Sequence, residues 1–388
     1  MSDARPLWRC ISPRLVLLAA ILGVLVSVGE AQTLNVLHSF TGGADGQNPD
    51  TDLIRDPQGN LYSATLYGGD YGYGSVFKVT PTGTKTVFYS FSGGTDGAFP
   101  NWDLLRDPMG NLYGTTYWGG SSGYGTVFKV TPTGTETVLY NFAGNSDGAN
   151  PSAGLARDPQ GNLYGTTYSG GASGYGTVFK VAPTGTETVL YSFTGGSDGA
   201  NPTWGLIRDP QGNLYGTTYS GGASGYGTVF KVTPTGTKTV LYSFAGGSDD
   251  GAHPEAGLIR DPMGNLYGTT GSGGGSNQGT VFKVTQTGTE TVLYIFSGGA
   301  DGANPSAPLT RDPQGNLYGT THSGGAYGYG TVFKVTPTGT ETVLYSFTGG
   351  ADGANPIGGL ARDPMGNLYG TAYSGGASGY GTVFKLIP

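Results

Sequence analysis

The sequence predicts an all-β fold, a seven-bladed β-propeller, on three observations. First, Arg-Asp-Pro-Gln/Met-Gly-Asn-Leu-Tyr recurs at Asp56, Asp107, Asp158, Asp209, Asp261, Asp312 and Asp363. The separations are 51, 51, 51, 52, 51 and 51 residues, long enough for each repeat to be one supersecondary unit that buries its apolar face only by stacking on its neighbours. Second, β-branched and aromatic runs alternate with Gly- and Pro-containing turns, and no window carries a helical stripe of useful length. Third, the repeats are offset against the ends. The chain after residue 31 opens on Leu34 to Phe40, the last strand of a unit, and stops at Gly381 to Leu386, the third strand of a unit. An open solenoid has no reason for that offset, whereas a ring uses the first strand to complete the last blade and so loses its free edges.

The repeat around Asp158 shows the four strands expected in every blade. Gly154 to Arg157 is strand A, and Asp158-Pro159-Gln160-Gly161-Asn162 is a turn in which Pro presets φ and Gly takes φ > 0. Leu163 to Tyr168 is strand B, followed by a Gly/Ser loop that Tyr175 closes. Gly176 to Val181 is strand C, Pro183-Thr184-Gly185 a turn, and Glu187 to Phe193 strand D. The segment Gly195 to Pro202, with Asp198-Gly199, is expected to be a loop into the next blade. Residues 32–388 are thus expected to form a seven-bladed β-propeller of four antiparallel strands per blade, closed by the N-terminal strand.

Residues 1–31 read as a secretory signal. Arg5, Arg9 and Arg14 precede the apolar run Leu15 to Val28, and the small residues Gly29 and Ala31 suit cleavage after Ala31. At 14 residues the run is shorter than the roughly 20 that span a bilayer, so a membrane anchor is the poorer reading and no membrane span is expected in the mature chain. Cys10 leaves with the signal, and the remaining chain has no thiol chemistry. That remainder carries 16 basic and 24 acidic residues, a net charge of −8, and no Lys/Arg cluster, which argues against a nucleic-acid partner. A secreted or periplasmic monomer is expected.

The pattern Leu-Tyr-Ser-Phe, Asp-Gly-x-x-Pro, Asp-Pro-x-Gly-Asn-Leu-Tyr-Gly-Thr-Thr, Gly-Gly, Gly-Thr-Val-Phe-Lys resembles the Gloeobacter/Verrucomicrobia ("GloVer") repeat of exported bacterial proteins, over about nine-tenths of the chain. The resemblance implies an extracytoplasmic repeat protein, often with a C-terminal sorting segment that is not seen here, and carries no catalytic residues over. The Asp-x-x-Gly-Asn-Leu-Tyr core also resembles turns of NHL-type propellers.

With strand A innermost, the B–C and D–A loops share one face. The aromatic residues of that face give candidate ligand contacts at Tyr117, Trp118, Tyr168, Tyr175, Tyr219, Tyr226, Tyr327, Tyr373 and Tyr380, where a ring beside glycine is free to stack on a sugar or an apolar peptide side chain. The competing reading is that these rings pack blade on blade. Each Asp-Gly loop supplies one carboxylate, which suits an Asx turn. The first repeat supplies Asp45, Asp50 and Asp52 and is the best candidate for calcium, whose loops need several oxygen ligands. The seven Arg-Asp pairs are expected to stabilise turns, and the strand C lysines, such as Lys231, to face solvent. His38, His253 and His322 occupy non-equivalent positions, and no Gly-x-Ser-x-Gly elbow, phosphate loop or His-Glu-x-x-His segment occurs.

Near-identical repeats suit multivalent binding better than one asymmetric catalytic centre. The expected function is therefore a binding or scaffold module for an extracellular glycan or other surface polymer, or for a protein. The alternative is a lyase or hydrolase at the central channel, built from residues that break the repeat. Those departures are Asp50, Asp52, Trp102, Asp103, Trp204, His253 and Glu255.

Overall fold

In a computed structural model that describes residues 1, 32–100 and 102–388, the repeat turns act as built-in stops between strands. Asp158 accepts the Asn162 backbone N–H at 2.8 Å, the Asn162 side-chain amide at 2.7 Å and the Tyr164 hydroxyl at 2.9 Å. Gly161 sits at φ 90°, open to glycine and costly for other residues. One side chain therefore closes the turn and fixes the second residue of strand B. All seven Arg-Asp turns repeat the hydrogen bond from this tyrosine to its aspartate, at 2.9–3.1 Å.

Strands B, C and D form where expected, at Leu163–Ser169, Thr177–Val181 and Glu187–Ser192 in the third blade. They pair antiparallel, Leu163 opposite Val181 and Val181 opposite Glu187, with a bulge in the C–D ladder between Val178 and Phe179. Strand A differs from its sequence reading. It comes in two pieces, Ala149–Pro151 and Ala156–Arg157, both paired with strand B. The first piece lies in what reads as a loop, because Asn-Pro resembles a turn. Here Asn150 is in the left-handed region at φ 56°. Asn201, Asn304 and Asn355 repeat that conformation, and Phe99 and His253 adopt it in other blades.

The core lies between blades. Seven apolar clusters each join two neighbours; between the second and third, Tyr113, Val127 and Phe142 meet Leu155, Leu163, Phe179 and Val181. Phe142 and Phe179 meet edge to face at 5.1 Å. A polar stitch runs beside the apolar one. Arg106 lies 5.2 Å over the ring of Tyr62 in the preceding blade, and Arg362 lies 5.9 Å over Tyr318.

Every one of these contacts recurs where the ring closes. The strand Thr33–Ser39 pairs antiparallel with Thr382–Ile387, Leu34 opposite Leu386. Phe40 meets Phe77 of the first blade at 5.3 Å, Arg55 lies 5.7 Å over Tyr369, and the Thr371 hydroxyl donates to the Thr51 carbonyl at 3.3 Å. The fold is a seven-bladed β-propeller within the compact unit Gln32–Pro388. Among the described residues no helix is long and apolar enough to cross a membrane. The apolar run Leu15 to Val28 and Cys10 lie outside the described residues.

Candidate functional site at the channel mouth

Segments that follow the break in strand A line the central channel, Asp50, Trp102, Thr203, Glu255, Ser306 and Ile357 among them, and there the repeats stop being alike. Around the deeper part of the channel, consecutive blades supply Asp52, Asp103, Gly154, Gly205, Gly257, Pro308 and Gly359. A Cβ added at Gly154 would lie 2.8 Å from Asp103 Cβ, and one at Gly359 would lie 2.8 Å from Asp52 Oδ1. A space of about 240 Å³ lies inside this ring, with Asp52 and Asp103 as its ionisable groups.

Above it opens a cavity of about 300 Å³ to which every blade contributes. Asp50, Trp102, Tyr168, Trp204 and Glu255 come from the first five, with Thr203 and Tyr219 also from the fourth. Ser306 and Ile357 complete the circle from the last two. Trp102 and Trp204 meet edge to face at 5.1 Å, and Trp204 is only 8% exposed. The Trp102 Nε1 donor and the Thr203 hydroxyl are buried and have no protein partner. A second space, of about 430 Å³, shares Tyr219, Glu255 and Ser306 and extends the cavity toward His322 and Gly271. Gly271 stands where four other blades carry tyrosine; a Cβ there would lie 2.7 Å from Glu255 Oε2, so its glycine makes room for the carboxyl.

The acids here are short of counter-charge. Burial, with Asp103 nearby, raises Asp50 to about 7. Asp103 accepts the Asp52 backbone N–H at 3.0 Å, and Asp52 accepts the Gly359 N–H. Burial of this adjoining pair raises both carboxyls, the mutual repulsion holding Asp52 up further. Burial also raises Glu255, against a lowering pull from His253, and lowers His322.

The sequence candidates fall into several places. Tyr168 and Tyr219 line the channel-mouth cavity. Tyr117 and Trp118 lie in a separate cleft of about 230 Å³ with Tyr67 and Phe99. Tyr373 is half-buried, close enough to Asp50 and Tyr67 to feel their charge. Tyr175, Tyr226 and Tyr380 show one side to solvent while the other covers a loop glycine. A Cβ at Gly195, whose φ is 81°, would lie 2.5 Å from the Tyr175 ring. Tyr327 is the most exposed of the nine, at 61%. His253 stacks on Tyr219 at 4.6 Å and bonds through Nδ1 to its carbonyl at 3.0 Å, supporting that ring from behind.

Asp45, Asp50 and Asp52 do not come together. Asp45 is held by His38 at 3.1 Å, Lys85 at 3.1 Å and the Thr41 N–H at 2.9 Å, whereas Asp50 and Asp52 face the channel. Among the described residues, no group of three or more His, Cys, Asp or Glu is placed to hold a metal ion. The other Asp-Gly aspartates bond to strand D and to their own loop, as Asp198 does with Tyr191 and the Thr194 N–H, both at 2.9 Å. The strand C lysines are half-buried rather than solvent-facing, with Lys231 Nζ 6.0 Å over the Tyr215 ring.

The repeat departures Asp50, Trp102, Trp204 and Glu255 converge on one cavity, with Asp52 and Asp103 beneath. Thr203, Ser306 and Ile357 carried no sequence signal of their own; their position after the repeat proline, shared with Asp50 and Glu255, would have found them.

A closed ring of seven four-stranded blades whose repeats differ at the axis defines a β-propeller module. The Gloeobacter/Verrucomicrobia repeat model matches residues 19–209, 108–311 and 188–384, and the chain belongs to that family. No curated protein sequence matches it. Among solved structures it is similar to the extracellular domain of a proposed one component system from B. thetaiotaomicron. That match has 14% identity and a TM-score of 0.58 and covers 92% of this chain, which spans 41% of the other. It is also similar to a proposed 6-phosphogluconolactonase from Bacteroides uniformis, with 18% identity and a TM-score of 0.50 over 88% of this chain and 90% of that one. At these identities the likeness is one of fold.

Proposed function

We propose that the protein is an extracytoplasmic binding module that holds a glycan at the mouth of its central channel. The observation that carries this reading is the cavity itself. Seven nearly identical repeats differ most where they meet, and there they set two tryptophans and two tyrosines beside carboxyl and hydroxyl groups. Aromatic faces with a few convergent polar groups suit sugar rings, which present C–H faces to stack and hydroxyls to bond. Export is supported by the signal-like residues 1–31 and by the family. The exposed tyrosines Tyr175, Tyr226, Tyr327 and Tyr380 then belong to the outer loop face, where they would add weaker contacts to a longer polymer.

A glycan and peptide array on the mature protein tests this reading, with tryptophan fluorescence as the second readout because Trp102 and Trp204 line the cavity. Quenching of the wild-type protein by the array hit, with retention of that hit lost in Trp102→Ala/Trp204→Ala, is expected. Retention lost only in Tyr175→Ala/Tyr226→Ala/Tyr380→Ala would move the site to the loop face.

The Asp52–Asp103 pair favours a second reading, a lyase or hydrolase using these carboxyls as proton donor and acceptor. Turnover of a substrate, abolished in Asp103→Asn with the fold intact, would establish it in place of simple binding.

A further inference from the structure

We propose that the ligand of the channel mouth carries a positive charge, specifically the ammonium of an amino sugar with a free amine. The inference rests on the channel-mouth reading above and adds the chemical class of its ligand.

Three observations carry it. Asp50 and Glu255 both line the cavity, and Asp52 and Asp103 line the deeper space of the channel. No Lys or Arg is among the described residues that line the mouth, its extension or the deeper channel. The arginines are committed elsewhere, stacked on tyrosines of the preceding blade as at Arg55, Arg106 and Arg362. An ordinary buried carboxyl is paired, because an uncompensated charge in a poorly solvated place is costly. Here the missing partner is a cation from outside.

The rings beside these acids point the same way. Trp102, Trp204, Tyr168 and Tyr219 surround the cavity, and aromatic faces attract ammonium groups as well as sugar C–H faces. The unpartnered Trp102 Nε1–H and Thr203 hydroxyl supply a buried donor and a donor-acceptor, which hydroxyl oxygens would satisfy. A ligand with both an ammonium and hydroxyls fits this set; a simple amine leaves the donors unmet, and a neutral sugar leaves the carboxyls unmet. The upward shift of both carboxyls is consistent with that deficit, since burial without a cation beside it disfavours the charged form. A metal ion fits less well, because no group of three or more His, Cys, Asp or Glu is placed to ligate one among the described residues.

The test is isothermal titration of the mature protein with the glucosamine tetramer and the N-acetylglucosamine tetramer of the same linkage, at low and high salt. Putrescine and calcium chloride serve as controls. The glucosamine oligomer is expected to bind at least about tenfold more tightly, with the preference shrinking in salt. Asp50→Asn/Glu255→Gln should abolish the preference and fold with an unreduced Tm, since it removes uncompensated charge. Equal or tighter binding of the acetylated oligomer overturns the proposal and leaves the channel-mouth reading standing. Calcium binding that Asp50→Asn/Glu255→Gln removes, without amine binding, also overturns it. Binding of no oligomer, together with no Trp102- and Trp204-dependent hit on the array, overturns both.

Discussion

At the residue scale, one kind of contact explains most of the tyrosines and another explains the site. Tyr164 and its equivalents tie strand B to the turn aspartate, and Tyr175 covers Gly195 so closely that no other residue fits beneath it. Tyr168 and Tyr219 instead reach the axis. Sequence could not sort these roles, because a tyrosine next to glycine reads alike in both. It did single out the residues that break the repeat, and the axis is where they gather. Asp103 offers a direct check. Its folded carboxyl is raised, so the native state holds a proton that the unfolded chain releases. Stability from this group is therefore present below its unfolded value and falls as pH rises through the raised range. Asp103→Asn keeps an oxygen for the Asp52 N–H and removes the charge. Melts at pH 7.5 should show a gain on the order of 1 kcal/mol over wild type, and no gain near pH 3. A loss at pH 7.5 would mean that the charge is compensated.

At the element scale, strand D carries an unequal feature that the repeat hides. Lys85 opens this strand in the first blade and bonds to the Asp45 carboxylate, and Lys238 in the fourth bonds to the Asp198 carbonyl. Glu136, Glu187, Glu290 and Glu341 take that position in four other blades, each with a buried Oε1 and no partner for it. Burial, and then the neighbouring Asp96, Asp147, Asp250 or Asp301, raises all four to about 7. An acid raised on folding binds its proton more tightly in the native state, so stability should fall as pH rises from about 4.5 to 7. Thermal melts across that window should show a declining Tm, and Glu136→Lys, which copies the Lys85 arrangement, should flatten the decline and raise Tm at pH 8. A Tm that climbs with pH, or a destabilised Glu136→Lys, would contradict the assignment. Strands B, C and D were legible from β-branched and aromatic spacing. The split of strand A was not, because a left-handed Asn before Pro reads as a turn whether or not its neighbours pair.

At the scale of the whole molecule, the N-terminal strand makes the seventh interface equivalent to the other six. Phe40 packs on Phe77 as Phe142 packs on Phe179, so Phe40→Ala and Phe142→Ala should each cost about 3–5 kcal/mol in denaturant unfolding. A much smaller loss at Phe40 would mean that closure contributes little. This closure was readable in sequence because Leu34 to Phe40 carries the pattern of a strand D, and it pairs with the strand C at Thr382–Ile387. The channel mouth was not readable as a cavity, because its walls come from nine residues spread over all seven blades, from Asp50 to Ile357, and become neighbours only when the ring shuts. The measurement that bears most directly on function is retention of the best array glycan by wild type and by Trp102→Ala/Trp204→Ala, with both melts recorded. Loss of retention with a cooperative melt preserved is the expected result. Undiminished retention in the folded double variant would contradict a ligand site at the channel mouth.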